Sequence, residues 1–283
     1  MLSSKKKENR TTNINNMTCL QYLKYIDNRI CKDNEKEIDS VESSIKNLKI
    51  HLGNWEKSDE IDEAHEFGSY TRGTKLPSCL DPSTDIDFMM VFRDVRLQPQ
   101  TYLEKVREFG NKFYSRSEVY QDHPTMVIEM QKIKFEIVPS IRLYGQAYPG
   151  YQIPGPKDSP LVWMHTYPEQ MKIDLDKAEQ KNAGLLRPLI RLMKLWNVQN
   201  GKPLTSFKIE EYATTHIFFC EKTIEAYFYE AVRWMTLIQA TDQKTHGLLQ
   251  TAQSTIEAIQ CYKRIGLETH ALERLRLLLP FKI

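Results

Sequence analysis

The run Asp85-Ile86-Asp87-Phe88-Met89-Met90-Val91-Phe92 constrains this chain more than any other stretch. After its acids, apolar residues fall on both faces of an extended segment, the pattern of a central strand covered on both sides in an α/β architecture. Side chains alternate along a strand, so Asp85 and Asp87 share one face. Two carboxylates at the mouth of a buried strand repel each other unless a cation lies between them. Oxygen-only ligands of this kind suit Mg²⁺ or Mn²⁺, and Mg²⁺ typically arrives with substrate phosphates. Upstream, Phe67-Gly68-Ser69-Tyr70-Thr71-Arg72-Gly73-Thr74 reads as a tight turn. Gly68 and Gly73 permit close backbone approach, Ser69 adds a hydroxyl, and such a turn can cradle phosphate through backbone donors. It lacks the Gly-Lys-Ser/Thr ending of a P-loop.

The order Gly68-Ser69, Gly73-Thr74, then Asp85-x-Asp87 resembles the signature of the polymerase-beta nucleotidyltransferase superfamily. Together with later motifs, it looks most like the cGAS/DncV-like nucleotidyltransferases (CD-NTases, SMODS-type), bacterial relatives of cyclic GMP-AMP synthase and oligoadenylate synthase. The resemblance implies an α/β (α+β) fold: a nucleotidyltransferase lobe with a central mixed sheet, packed on a C-terminal helical lobe and braced by a long N-terminal helix. The expected division is a disordered tail over 1–16, a catalytic lobe over 17–168 and an OAS-like helical lobe over 169–283, with the active site in the cleft between lobes.

Local patterns fill in this frame. Met17, Leu20, Leu23, Ile26 and Ile30 recur at helical spacing. Ile38, Val41, Ile45, Leu48, Leu52 and Trp55 form a second stripe, a helix of about five turns ended by Gly53 and the charged run after it. Glu63 to Phe67 should be the first strand. Asp81-Pro82-Ser83-Thr84 reads as a turn, with Asp81 its former and not a metal ligand. Pro99 opens a helix through Phe113. Thr125–Met130 and Ile133–Val138 read as a hairpin joined by Gln131-Lys132. Ile141 to Pro168, rich in Tyr, Gly and Pro, reads as a long irregular loop whose aromatics offer stacking faces. From Asp176 onward the pattern is helical, with Pro188 starting or kinking a helix that Asn200-Gly201 closes. The stretch around Trp234-Met235-Thr236-Leu237 is a core stripe.

Glu136 sits between Phe135 and Ile137, just ahead of Val138-Pro139. A buried carboxylate is costly unless paired or bound to metal, so it either pairs with Arg142 or Lys134 or serves as a ligand. The family places its third metal-binding acid on this strand, usually as Asp, and the resemblance gives Glu136 that role, with Glu129 as the fallback. Ile190-Arg191-Leu192-Met193-Lys194-Leu195-Trp196 resembles the family's helix carrying a phosphate-binding lysine, Lys194. Arg191 is left open between solvent and phosphate. Thr205-Ser206-Phe207-Lys208-Ile209-Glu210 resembles the segment where a serine hydroxyl, here Ser206, meets the triphosphate.

The resemblance thus implies two Mg²⁺ (or Mn²⁺) ions about 3.5–4 Å apart held by Asp85, Asp87 and Glu136, with nucleotide bound by Gly68, Ser69, Lys194 and Ser206. Its substrates would be nucleoside triphosphates, ATP and possibly another, joined without a template into a cyclic di- or trinucleotide. That second messenger would switch on a separate effector in anti-phage (CBASS) defence. Two alternatives stand beside it. One is another polymerase-beta-type transferase, making linear oligonucleotides or nucleotidylating a protein or small molecule. The other is a non-catalytic nucleotide sensor, which the presence of all the expected acids weighs against.

Composition narrows the setting. A net charge of +2 over 283 residues does not describe a nucleic-acid-coating surface, and no nucleic-acid activator is evident. Cys19, Cys31, Cys79, Cys220 and Cys261 are scattered and form no C-x-x-C pair, which reads as reduced thiols in a cytoplasmic protein without zinc. No apolar run reaches transmembrane length, so no membrane partner is expected. Lys282-Ile283 lacks the small terminal residue of relatives tethered through that end, so conjugation there is not expected.

Overall fold

A computed structural model describes residues 17–131, 133–145, 150–159, 162–235 and 243–281. The expected tail over 1–16, Lys132 of the hairpin turn, Tyr148 and Pro149, Thr236 and Leu237, and the Lys282-Ile283 end lie outside the described residues. By its contacts the chain falls into two compact units, Asn28–Ile217 and the described parts of Met1–Asp27 with Phe218–Ile283.

In the larger unit a mixed sheet is built from β1 (Ile61–Glu66), β2 (Ile86–Phe92), β3 (Glu118–Asp122), β4 (Thr125–Glu129), β5 (Lys134–Leu143), β6 (Gly150–Pro154) and β7 (Trp163–Thr166). The path runs β1-β2-β5-β4-β3, with β6 joined to β5 and β7 to β6. Strand β5 is the axis. It runs parallel to β2 along one edge, and its other edge pairs first with β4 and then with β6. The helices of this unit are most of α1 (Cys19–Gly53), α2 (Gly68–Thr71), α3 (Pro99–Phe113), α4 (Pro168–Lys181), α5 (Leu186–Gln199) and α6 (Ser206–Thr215). Thus α4 to α6, expected in a helical lobe beginning at 169, group with the sheet.

Strand β2 is apolar on both faces for the anticipated reason. Ile86, Phe88, Met90 and Phe92 enter one core with Val41, Ile45, Leu48 and Leu52 of α1 and Leu103, Val106 and Phe109 of α3. Met89 and Val91 enter a smaller cluster with Tyr151, Phe67 and Ile153 on the other side. Helix α3 begins at Pro99 as the proline at the first helical position requires.

Three readings of the sequence change. The two N-terminal stripes belong to one 35-residue helix, α1. Its polar middle is held by hydrogen bonds: Asn34 Nδ2 donates to the Lys75 carbonyl at 2.9 Å, and Glu37 accepts from the Ser78 N–H at 2.8 Å and Lys75 Nζ at 3.0 Å. Ile141–Pro168 contains the end of β5 together with β6 and β7. Strand β3, an edge strand half-buried at alternate positions, had no counterpart in the expected elements.

The smaller unit contains the start of α1 with α7 (Ile224–Met235), α8 (Gln243–Arg264) and α9 (Glu268–Leu278). The Tyr22 hydroxyl donates to the Leu279 carbonyl at 3.1 Å, and Met235 is buried. No described helix is long and apolar enough to cross a membrane.

Candidate active site

Parallel register pairs Asp87 of β2 with Glu136 of β5 and Ile86 with Phe135. Asp85, Asp87, Lys134 and Glu136 therefore share the sheet face opposite the larger core. Burial raises the Asp87 carboxyl, and the charges of Asp85 and Glu136 raise it further, to about 7. Glu136 is raised by burial and by Asp85, against the opposing pull of Lys134. Lys134 Nζ donates to Glu136 Oε1 at 2.8 Å and lies 3.5 Å from Asp85 Oδ2. Burial disfavours this ammonium, but the two acids outweigh it and raise its pKa. So Glu136 adopts one of the pairings open to it in the sequence, while Arg142 turns to Glu63. Glu129 ends β4, between β5 and the edge strand β3, where Oε2 accepts from the Tyr120 hydroxyl at 3.1 Å.

The glycine turn packs directly on these acids. The Phe67 N–H donates to the Asp87 carbonyl at 3.0 Å. Gly68 has φ +74°, and a Cβ there would lie 1.7 Å from Asp87 Oδ2. Only glycine satisfies both the left-handed backbone and that approach. Gly68→Ala is therefore expected to displace the Asp87 carboxylate and reduce turnover about 100-fold, as displacements near 1 Å in a reacting site do. Kinetics on folded protein, checked by circular dichroism, would measure it. Beyond the turn, helix α5 holds the backbone: Arg187 Nε donates to the Arg72 carbonyl and Arg191 to the Gly73 carbonyl, each at 2.8 Å. Arg191 is thus buried against the turn, neither solvated nor at the cavity wall.

Beside the turn lies a cavity of about 390 Å³. Gly68, Ser69, Asp85, Asp87, Lys194 and Ser206 all line it, although they come from four parts of the chain. Glu136 is not at its wall; it meets the cluster through Asp85. Helix α5 carries Lys194 on a face that is almost wholly buried. Lys194 Nζ donates to Glu210 Oε1 at 2.6 Å and to the Thr74 hydroxyl at 3.4 Å. Arg72 Nε donates to Glu210 Oε2 at 2.6 Å. Burial alone would raise the Glu210 carboxyl, but Lys194 and Arg72 take it down to about 2. Ser206 is exposed at the first turn of α6, which is capped by the Thr205 hydroxyl accepting from the Lys208 N–H.

Sequence reasoning had not singled out Arg72, Lys75, Lys202 and Glu210 at this cavity. Arg72 stood inside the glycine turn, and Glu210 beside the buried Ile209, a position where an acid needs a partner. Asp81 is a turn former as expected, accepting from the Ser83 N–H at 3.1 Å, and it also pairs with Lys202 at 3.0 Å.

Among the described residues no three His, Cys, Asp or Glu side chains form a ready-made metal site. The donor chemistry nevertheless fits a hard divalent cation: three crowded carboxylates, two of them, Asp87 and Glu136, pushed toward the protonated form by burial and by neighbouring acids.

Residues 17–182 match the family model of the Second Messenger Oligonucleotide or Dinucleotide Synthetase (SMODS) domain. The chain belongs to this family. As a SMODS protein it is a nucleotidyltransferase of the cyclic nucleotide synthase (CD-NTase) group. A probable cyclic nucleotide synthase of Bacillus cereus (strain VD146) is 25% identical over 236 residues, covering 67% of this chain and 68% of that one. Among solved structures, Escherichia coli MS115-1 CdnC with ATP superposes with a TM-score of 0.62 at 13% identity, over 87% of this chain and 92% of the other. Escherichia coli DncV in its 3'-deoxy GTP bound form gives 0.57 at 11% identity, over 77% and 69%. At such identities the likeness concerns the fold, which is the polymerase-beta-like one expected of this SMODS chain.

Proposed function

We propose that this SMODS enzyme joins nucleoside triphosphates, ATP among them, into a cyclic di- or trinucleotide in a metal-dependent and template-independent reaction. The product would act as a second messenger for a separate effector in anti-phage defence. The observation that carries the reading is the convergence of Asp85 and Asp87, with Glu136 behind them, on the Gly68-Ser69 turn at a cavity also lined by Lys194 and Ser206. The CdnC structure was solved with ATP, and a CdnE cyclic dinucleotide synthase of Elizabethkingia meningoseptica with GTP and Apcpp.

Asp85, Asp87 and Glu136 would hold Mg²⁺ or Mn²⁺. When bound, such ions withdraw charge from phosphoryl oxygens and acidify a coordinated hydroxyl. The chain's own groups do the rest. Arg72, Lys75, Lys194 and Lys202 bring four cationic groups to the cavity wall, each paired with an acid, and a triphosphate tail would draw on them in competition with Glu210, Glu37 and Asp81. Ser69 and Ser206 offer hydroxyls to orient phosphate oxygens, and the Gly68 backbone brings the turn directly against Asp87. A ribose hydroxyl presented to the α-phosphorus would pass its proton to a carboxylate of the cluster as the new P–O bond forms, and the bond from the α-phosphorus to the bridging oxygen breaks as pyrophosphate departs. Charge that builds on the phosphoryl oxygens meets donors already in place.

A ring needs two nucleotides held at once. The first cavity, at about 390 Å³, falls within the roughly 300–1,000 Å³ range of small-molecule sites. A second, of about 770 Å³, shares Lys75, Ser83, Thr84 and Asp85 with it. Paired spaces meeting at Asp85 would let a donor triphosphate and an acceptor nucleotide be held together, as each joining step of a ring requires. The test is to incubate the protein with each labelled triphosphate, alone and in pairs, with Mg²⁺ or Mn²⁺, and to identify phosphatase-resistant products by mass spectrometry. A cyclic product is expected; phosphatase-sensitive linear chains alone would overturn the ring.

A further inference from the structure

We propose that Lys134 is a resident cation of the acidic cluster, which exchanges Asp85 and Glu136 for Glu129 when those carboxylates take up divalent metal. It thereby sets the site's affinity for metal. The inference rests on the metal-dependent reading above and concerns a positioning residue, since Lys134 acts through the acids it holds.

The geometry gives Lys134 two sets of partners. In the first, its ammonium spans Glu136 Oε1 at 2.8 Å and Asp85 Oδ2 at 3.5 Å, with a fifth of the side chain exposed. There it offsets the repulsion between carboxylates that β2 and β5 force together. In the second, antiparallel pairing of β4 with β5 sets Glu129 directly opposite Lys134, where cross-strand side chains come within reach. Glu129 is exposed, fixed on one oxygen by the Tyr120 hydroxyl. Lys134, Glu129, Tyr120 and Asp85 all line the 770 Å³ cavity, so the side chain has room to pass between the two positions. Its flexible four-carbon stem with a rotatable ammonium suits such a move, which the broad planar head of arginine does not.

Electrostatics sets the direction. A divalent ion drawn to the oxygens that Lys134 holds, Asp85 Oδ2 and Glu136 Oε1, competes directly with the ammonium, because like charges at contact distance repel strongly. Metal must therefore displace Lys134, and its affinity is reduced by the strength of the ion pairs it breaks. Removing the ammonium should tighten metal binding and destabilise the metal-free protein. A residue that only shaped the site would weaken both.

The test uses the full chain, stripped of metal and without nucleotide, titrated with Mn²⁺ and followed by the paramagnetic signal of the free ion. Lys134→Met is expected to bind Mn²⁺ about five- to tenfold more tightly than wild type, the worth of a half-buried ion pair. Its melting temperature in chelator should be lower. Lys134→Arg keeps a cation on the acids and should bind no more tightly than wild type. Glu129→Gln removes the second partner and should weaken Mn²⁺ binding about two- to threefold. If wild type binds Mn²⁺ and Lys134→Met binds equally or less tightly, the exchange is overturned while the metal reading stands. If wild type takes up no Mn²⁺ either alone or with a non-hydrolysable ATP analogue, and Asp87→Asn is indistinguishable from it in both, the metal reading falls and the exchange with it.

Discussion

Asp87→Asn is expected to lower the rate of nucleotide joining by at least about three orders of magnitude, the scale of losing a group that organises transition-state charge. Of the three clustered acids Asp87 is the most hemmed in: Glu136 beside it in register, Asp85 two residues before it, and the Gly68 backbone against its Oδ2. The amide has the same shape, so the strand and the turn should be undisturbed. Stability moves the opposite way. The substitution removes a negative charge from a site where burial and two neighbouring acids already oppose ionisation. The melting temperature in metal-free buffer at pH 8 should therefore equal or exceed that of wild type. Turnover within tenfold of wild type would refute the assignment of Asp87 to the chemistry.

Glu210→Ala should be the most destabilising single change at the cavity. Its carboxylate is buried and holds Arg72, Lys194 and the Thr74 hydroxyl, so truncation leaves two cations without their shared acid. Breaking a buried pair by removing one partner costs about 3–5 kcal/mol, here a fall of roughly 10 °C in melting temperature. The same network makes a pH prediction. The Glu210 carboxyl is lowered from its ordinary 4.5 to about 2, so its contribution is present above 4.5 and disappears as pH falls toward 2. Glu210→Gln should be clearly less stable than wild type at neutral pH. The gap should close progressively below pH 4.5, as chemical unfolding at a series of pH values would reveal. A gap that stays constant down to pH 2 would rule out the ion pairs as its cause.

Strand β2 was legible because its pattern admits one reading: apolar on both faces after two acids, with a glycine turn before it. Helix α3 was legible from Pro99. What escaped was carried by polar contacts between distant segments, to which apolar periodicity is blind. The stretch from Cys31 to Glu37 has no stripe, so α1 read as two helices; its continuity comes with Asn34 and Glu37 bonded to the loop at 75–78. Strands β6 and β7 are short and their burial does not alternate, and they lie among tyrosines and prolines that signal loop. Lys194 was found by its motif, but its partner Glu210 lies sixteen residues on and Arg72 much further back, so only the fold could bring the three together. Lys134 read as one alternative partner for Glu136, and its second neighbour, Asp85, became visible once β2 and β5 were seen to run in parallel.

The hydrogen bonds from the middle of α1 have a mechanical corollary. Asn34 and Glu37 sit one turn apart on a stiff rod, gripping the backbone at Lys75 and Ser78 and the ammonium of Lys75 itself, which borders both cavities. Sliding the rod by one residue, about 1.5 Å, would stretch a 2.9 Å bond past its useful range or drag the loop along. The rim shared by the two cavities is therefore geared to the long helix, and any force applied along that axis is felt at the mouth.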